Sequence, residues 1–385
     1  SCTTQGLRIA EHAMPLGKGL DMPKRSNQHE SLRIDVSRCH MAANPPSRGI
    51  RNRVLLLVMT ALLVTVSMGT VLRWSLAGVS FVNLDFGHMR HAHGHLGYYE
   101  VLFPLTWLLL YSRRGALALE PGLAWLYGLS TVVATVGFLN SGYGLIAIVG
   151  SAIVGALWFV AAFGRGVYII IGTGLAEACG LPIALYTRTA PNLAQTWVAS
   201  FLAALLLLVI VPSVLDLRDV RVSKPTLLIS GIIGALFLGA YPSPILGLGL
   251  AAYGLVLIPA IASSALPRFL QVAWWTLCIG LFGLASGLLP SQRSIVIGAI
   301  HFLVLGPVIL SLVEPLLRQV VNPWGWWLGL LSVTGLTVPL VWHGLTGEPQ
   351  ALFLSAWGGS GVASWWIILL VRECKTRLGS EAVRA

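Results

Sequence analysis

The chain has 385 residues, of which 56% are hydrophobic and 10% charged, with a mean hydropathy of +0.80, whereas a soluble domain carries about a quarter charged residues. That excludes an ordinary soluble enzyme and fits a chain whose main solvent is lipid. The net charge of +11 does not indicate a nucleic-acid partner, because most of the 25 Lys and Arg lie in the two tails and short loops and no basic patch with interleaved aromatics occurs.

Residues 1–53 are polar, basic and without hydrophobic periodicity, which predicts a disordered tail. They contain no apolar core of a secretory signal. Met41, followed by a short Pro/Ser/Arg stretch and then the first apolar run, is a candidate true start; residues 1–40 would then be upstream reading frame, a point N-terminal peptide mapping would settle.

From Val54 onward the chain is a train of apolar segments. A spanning helix needs about 20 residues, within a range of about 17 to 25. The runs predict spans near 54–76, 90–112, 122–139, 143–163, 167–186, 195–215, 226–242, 245–262, 270–289, 294–316, 324–343 and 351–371. The expected architecture is an all-α polytopic integral membrane protein of about twelve transmembrane helices, a membrane domain at 54–371 and a cytoplasmic tail at 372–385. The fifth span is the weakest, interrupted by Glu177, Gly180 and Pro182, and a Pro-Ser-Pro turn joins the short seventh and eighth.

Charge tests that count independently. With a cytoplasmic N-terminus, the inner loops hold Arg113, Arg114, Arg165, Arg218, Arg221, Lys224, Arg268 and Arg318, against Arg73, Arg90, Arg188 and Arg293 outside. Dropping the fifth span would move Arg218, Arg221 and Lys224 outside, against the positive-inside tendency. Twelve spans with both termini cytoplasmic is therefore the expectation. A bacterial inner membrane would then have the histidine-rich ends on its periplasmic side.

The five cysteines, Cys2, Cys39, Cys179, Cys278 and Cys374, are scattered without a CxxC pair and indicate neither a disulfide framework nor a thiolate metal site. Of nine histidines, His12, His29 and His40 fall in the tail. His88, His91, His93, His95, His301 and His343 all fall toward the outer face. In HMRHAHGHLGYYE, helical spacing puts His88, His91 and His95 on one face and His93 elsewhere. His301 is roughly 9 Å into the tenth span at about 1.5 Å per residue, level with His95, and His343 ends the eleventh.

Ionisable groups inside a membrane are costly and rarely face lipid, so a functional site is the default reading. Imidazole suits iron, copper and zinc. Each histidine also has a structural reading: His88 as an interfacial loop residue, His343 beside Trp342 as an aromatic-belt anchor, His301 as a satisfied core histidine. Glu100, five residues after His95, could orient a ligand imidazole or carry protons, or pair with an arginine. Glu177 has similar status, whereas Asp85 and Glu348 read as solvated loop residues. Gly94 and Gly97 could admit a flat macrocycle or simply a neighbouring helix.

At these residues the chain resembles the heme-copper oxidase superfamily, and within it the NnrS-type membrane proteins. The resemblance covers the twelve-span layout and two short motifs: His91-Ala92-His93-Gly94-His95 opening the second span, and Ala299-Ile300-His301-Phe302-Leu303 in the tenth. In that superfamily the second and tenth helices supply two axial histidines to a low-spin heme near the outer side, and His301 matches one of them. The chain also departs from the pattern. Ala299 stands where the oxidases have the high-spin heme ligand, and the sixth and seventh spans contain no histidine for a copper site, so an oxygen-reducing binuclear centre of that design is absent.

The resemblance implies heme b ligated by His301 with one or two of His91, His93 and His95. The implied role is electron transfer with a quinol or redox protein, or a nitric-oxide-related response. An alternative from the residues alone is a copper or zinc site built from His88, His91 and His95 with Glu100 or His343, in a transporter or membrane oxidoreductase. The inner halves of the spans offer a transport path little beyond Glu177 and Glu314. A third reading is a membrane scaffold or assembly subunit whose histidines are structural.

Overall fold

In hydrocarbon every backbone N–H and C=O needs a partner from within the protein, and a helix supplies one inside each segment. The computed structural model describes residues 48–79, 85–106, 121–162, 167–240, 244–290 and 292–382, and no strand occurs among the described residues. The expectations for residues 1–47, for Arg113, Arg114 and Arg165, and for the centre of the Pro-Ser-Pro turn lie outside them.

The helices, in chain order, are α1 (Arg48–Leu76), α2 (86–106), α3 (Pro121–Ser141), α4 (Leu145–Ala162), α5 (Val167–Thr189), α6 (191–217), α7 (Lys224–Ala240), α8 (Pro244–Ala262), α9 (Arg268–Ala285), α10 (293–317), α11 (Pro323–Thr346) and α12 (Pro349–Ala382). α1 begins earlier than the apolar run at Val54, and α12 continues past 371 into the expected tail. Hydropathy marks only the part of a helix that suits lipid. The hydrogen-bonded ladder continues through good helix formers such as Arg, Glu and Lys until something breaks it.

Eight helices, α1, α3, α4, α6, α9, α10, α11 and α12, are long and apolar enough to cross a membrane, and α5, α7 and α8 hold shorter apolar stretches. Large apolar side chains including Leu57, Leu145, Leu248 and Ile279 are exposed on their outer faces. Such a surface is stable against acyl chains and not against water. The chain is an α-helical membrane protein whose solvent is the lipid bilayer.

Each helix packs against the next in sequence, and α12 packs back on α1. The most enclosed stretches belong to α2, α6 and α10, where Val101–Phe103, Leu205–Val211 and Val308–Leu310 are almost wholly buried. These same helices each contain a π-type stretch, at Gly97–Leu102, Leu205–Ile210 and Val304–Val308. Each has a proline beside or within it: Pro104 and Pro212 follow the first two closely, and Pro307 lies within the third, whereas no such stretch accompanies Pro182, Pro259, Pro315 or Pro339. A proline lacks an N–H and crowds the carbonyl four residues earlier, which allows the preceding turn to widen. Two of the widened turns begin directly after the histidine segments.

Candidate functional site

The start of α2 is fixed by Asp85, whose carboxylate accepts from the His88 N–H at 2.8 Å. That bond, placed on the first free N–H groups of the helix, holds the Asp85 carboxyl below its ordinary range. One turn further on, α2 presents histidines on opposing faces, and the two faces meet different neighbours.

His93 turns toward α1 and α10. Its ring lies against Gly69 of α1, where an added Cβ would come within 2.8 Å of the imidazole Cε1. Its Nδ1 donates to the Thr65 carbonyl at 2.8 Å, and Nδ1 of His301 donates to the Ile297 carbonyl at 2.8 Å. A carbonyl only accepts, so both imidazoles carry their proton on Nδ1 and leave Nε2 unprotonated, able to accept a donor or bind a metal. The Arg73 guanidinium lies 3.5 Å from Nε2 of His301, as a donor facing a lone pair. The two rings are within 9° of parallel, with centres 6.0 Å apart.

His91 and His95 turn the other way, toward α3 and the turn after it. The His95 ring stacks on Phe138 at 3.9 Å, and His91 meets Tyr143 edge-on at 4.4 Å. The Tyr143 hydroxyl lies 3.5 Å from Nε2 of His95.

A cavity of about 1640 Å³ connects these groups. His91, His93, His95 and His301 line it and are half-buried because it reaches them. Arg73, Arg90 and Arg293 also line it, Glu177 is its one acidic lining residue among those described, and the remaining wall is mostly apolar. Arg73 is only 6% exposed, and no carboxylate pairs with it among the described residues. The Tyr98 hydroxyl, also on the wall, is buried without a hydrogen-bond partner among the described residues. An orphaned hydroxyl and an unpaired buried cation each cost free energy unless something in the cavity satisfies them.

The other residues singled out from the sequence lie apart from this pair. His88 packs over Gly142, whose φ is +57°, and does not line the cavity. His343 lines it, but its Nδ1 donates to the Glu348 carbonyl at 3.0 Å. Glu100 is bonded to Thr131 of α3 and orients neither His93 nor His301. Gly94 and Gly97 both border the cavity, and Gly97 also sits close to Thr65. Among the described residues no group of three or more His, Cys, Asp and Glu side chains is placed to hold a metal ion, so His88, His91, His95, His343 and Glu100 do not converge. Glu314, at the opposite ends of the helices, binds Arg218 and Arg318 at 2.8 and 2.7 Å.

Sequence reasoning passed over Arg73 and Tyr143. Arg73 carried a signal, a charge inside an apolar span, but was weighed only for topology. Tyr143 carried none, being one aromatic in a glycine-rich turn. Neither the protein-family models nor the curated proteins give a match to this chain.

Proposed function

We propose that this protein is a heme-binding membrane protein in which His93 of α2 and His301 of α10 hold the iron of a b-type heme. The observation that carries this reading is the paired imidazoles. Two imidazoles on opposite sides of one metal, each bonded at about 2 Å, have ring centres about 6 Å apart; these two are 6.0 Å apart with near-parallel planes and unprotonated Nε2 atoms, that of His301 facing Arg73.

The surrounding residues fit the rest of such a group. Its apolar macrocycle suits the apolar wall, and Arg73, Arg90 and Arg293 offer cations to its carboxylates. The Tyr98 hydroxyl gains an acceptor there. Heme held by His93 and His301 would supply one-electron redox chemistry. The protein's part is to fix both tautomers through Thr65 and Ile297, to exclude lipid and water, and to balance the carboxylates. In the filled site Arg73, which here faces Nε2 of His301, would turn to those carboxylates.

The reading extends to a core related to that of the heme-copper oxidases without their binuclear centre. It acts in electron transfer with a quinol or a redox protein, or in a nitric-oxide-related response. We further propose twelve spans with both termini cytoplasmic in a bacterial inner membrane, the site lying in the periplasmic half. The sequential packing of twelve helices and the positions of Trp125 and Trp324, 82% and 77% exposed near the starts of α3 and α11, support this arrangement, since interfacial tryptophans mark one membrane boundary.

The test is an absorption spectrum of purified protein in mild detergent, oxidised and dithionite-reduced, with iron analysis on the same sample. A sharp reduced α band with stoichiometric iron, lost in His301→Ala, is expected. Absence of a Soret band from protein expressed with ample heme supply would sink the reading.

A further inference from the structure

The cavity of about 1640 Å³ exceeds the roughly 300–1,000 Å³ of one small-molecule site. The part of its wall built by α4, α5 and α6 carries no histidine among the described residues, and its one charge is Glu177 of α5. The half-buried Glu177 carboxyl lies over Gly155 of α4, where an added Cβ would collide with its Oε2, so the glycine makes the room that the carboxyl occupies. No hydrogen bond or ion pair reaches Glu177 among the described residues. Ser151, one turn before Gly155 on the same face of α4, has a buried hydroxyl that completes no hydrogen bond among the described residues, with Tyr99 of α2 beside it. An ionisable side chain within a membrane helix is costly unless a partner meets it, and the chain supplies none here.

The same part of the cavity opens sideways to lipid. Ala152 and Ala156 of α4 and Ala178 and Leu181 of α5 line it and are exposed. They continue the outward stripes of Val149 and Val160 on α4 and of Leu175 and Leu185 on α5. Three of the four are alanines, so little side chain stands between the cavity and the acyl chains.

We infer that Glu177 is the counter-ion of a second ligand, a lipid-soluble aromatic cation that enters from the bilayer between α4 and α5. Depth selects the class. Gly155 lies ten residues into α4, roughly 15 Å at about 1.5 Å per residue, so a lipid headgroup held at the membrane surface does not reach Glu177. A charge spread over aromatic rings enters hydrocarbon at lower cost than a compact one. Tyr99, Phe159 and Phe201 on the same wall supply the rings that attract such a cation. Arg73, Arg90 and Arg293 oppose it, but they lie within two turns of the ends of α1, α2 and α10. In the heme reading they meet the carboxylates of heme, which leaves Glu177 the one cavity charge without a partner; in that clause alone the inference rests on that reading.

The experiment is equilibrium dialysis of the full chain in mild detergent against radiolabelled tetraphenylphosphonium, with protein-free micelles subtracted. Tetraphenylborate, the same shape with the opposite charge, is the comparison. One phosphonium per chain is expected, bound at least about 10-fold more tightly than the borate. Glu177→Gln, which keeps the shape of the side chain, should weaken phosphonium binding about 10-fold and erase the preference, as loss of a charged partner does. Ala178→Phe, which narrows the opening, should slow association several-fold by rapid filtration. Glu348→Gln, an exposed carboxylate, should change nothing. Borate bound as tightly as phosphonium by the unaltered chain, or full phosphonium binding by Glu177→Gln, overturns the proposal; unchanged association in Ala178→Phe removes the side entrance. Phosphonium bound by protein without a Soret band leaves this site standing and the heme reading fallen, and a Soret band without phosphonium does the reverse.

Discussion

The imidazole planes of His93 on α2 and His301 on α10 lie within 9° of parallel, 6.0 Å between centres, each ring bonded through Nδ1 to a backbone carbonyl. That relationship separates the three histidines of the HAHGH segment by role. His93→Ala and His301→Ala should each abolish the reduced α band and the bound iron. His91→Ala and His95→Ala should retain more than half of both. Heme loss in His91→Ala with retention in His93→Ala would reverse the assignment.

Gly69 is the floor under His93. Alanine there would press its Cβ to 2.8 Å from the ring, and overpacking of this kind costs about 1–3 kcal/mol. Gly69→Ala should therefore lower heme retention several-fold and shift the α band with little loss of helix content by circular dichroism. Gly280→Ala on α9, with nothing within 4 Å of the added carbon and no place on the cavity wall, is the matched control.

Arg73 is buried at 6% exposure beside His301 with no acidic partner among the described residues, so it is a burden to the empty protein and an asset to the filled one. Arg73→Met should raise the melting temperature of heme-free protein and lower that of heme-loaded protein relative to wild type. The same sign of change in both states would remove the assigned role.

On the other side of the molecule, Glu314 joins Arg218 and Arg318, with its own side chain only 4% exposed. Removing one member of a buried pair leaves an uncompensated charge and costs about 3–5 kcal/mol. Glu314→Ala should lose about that much at the Arg218 side, read as a fall in detergent melting temperature, while the exposed Arg318→Ala should cost far less.

Asp85 gives a pH dependence with a defined sign. The His88 N–H holds its carboxyl below the ordinary range. The stabilisation it gives is complete above the unfolded value of about 3.9 and disappears as pH falls through the lower, folded value. Asp85→Asn caps the helix without ionising, so thermal melts should show wild type losing its advantage over the variant on acidification from about pH 6 to about pH 2.5.

Much of this was legible in the chain itself. Composition and apolar run length determined a helical membrane protein, because hydrocarbon tolerates only segments that satisfy their own backbone. The 100° step of a helix determined that His91 and His95 share a face and that His93 does not. That the helices widen beside Pro104, Pro212 and Pro307 and not at Pro182, Pro259 or Pro339 was decided by the fold.

The tertiary structure decided which face meets which neighbour. A sequence sets the relative angles of side chains around one helix, but its absolute rotation, and so the partner each side chain finds, comes from packing against segments far away in the chain. Hence Glu100, placed five residues from His95 as though to serve it, turned to Thr131. Arg73, counted only as a charge at the outer end of the first span, lies against His301. His93, the histidine that the periodicity set apart, is the one that faces α10.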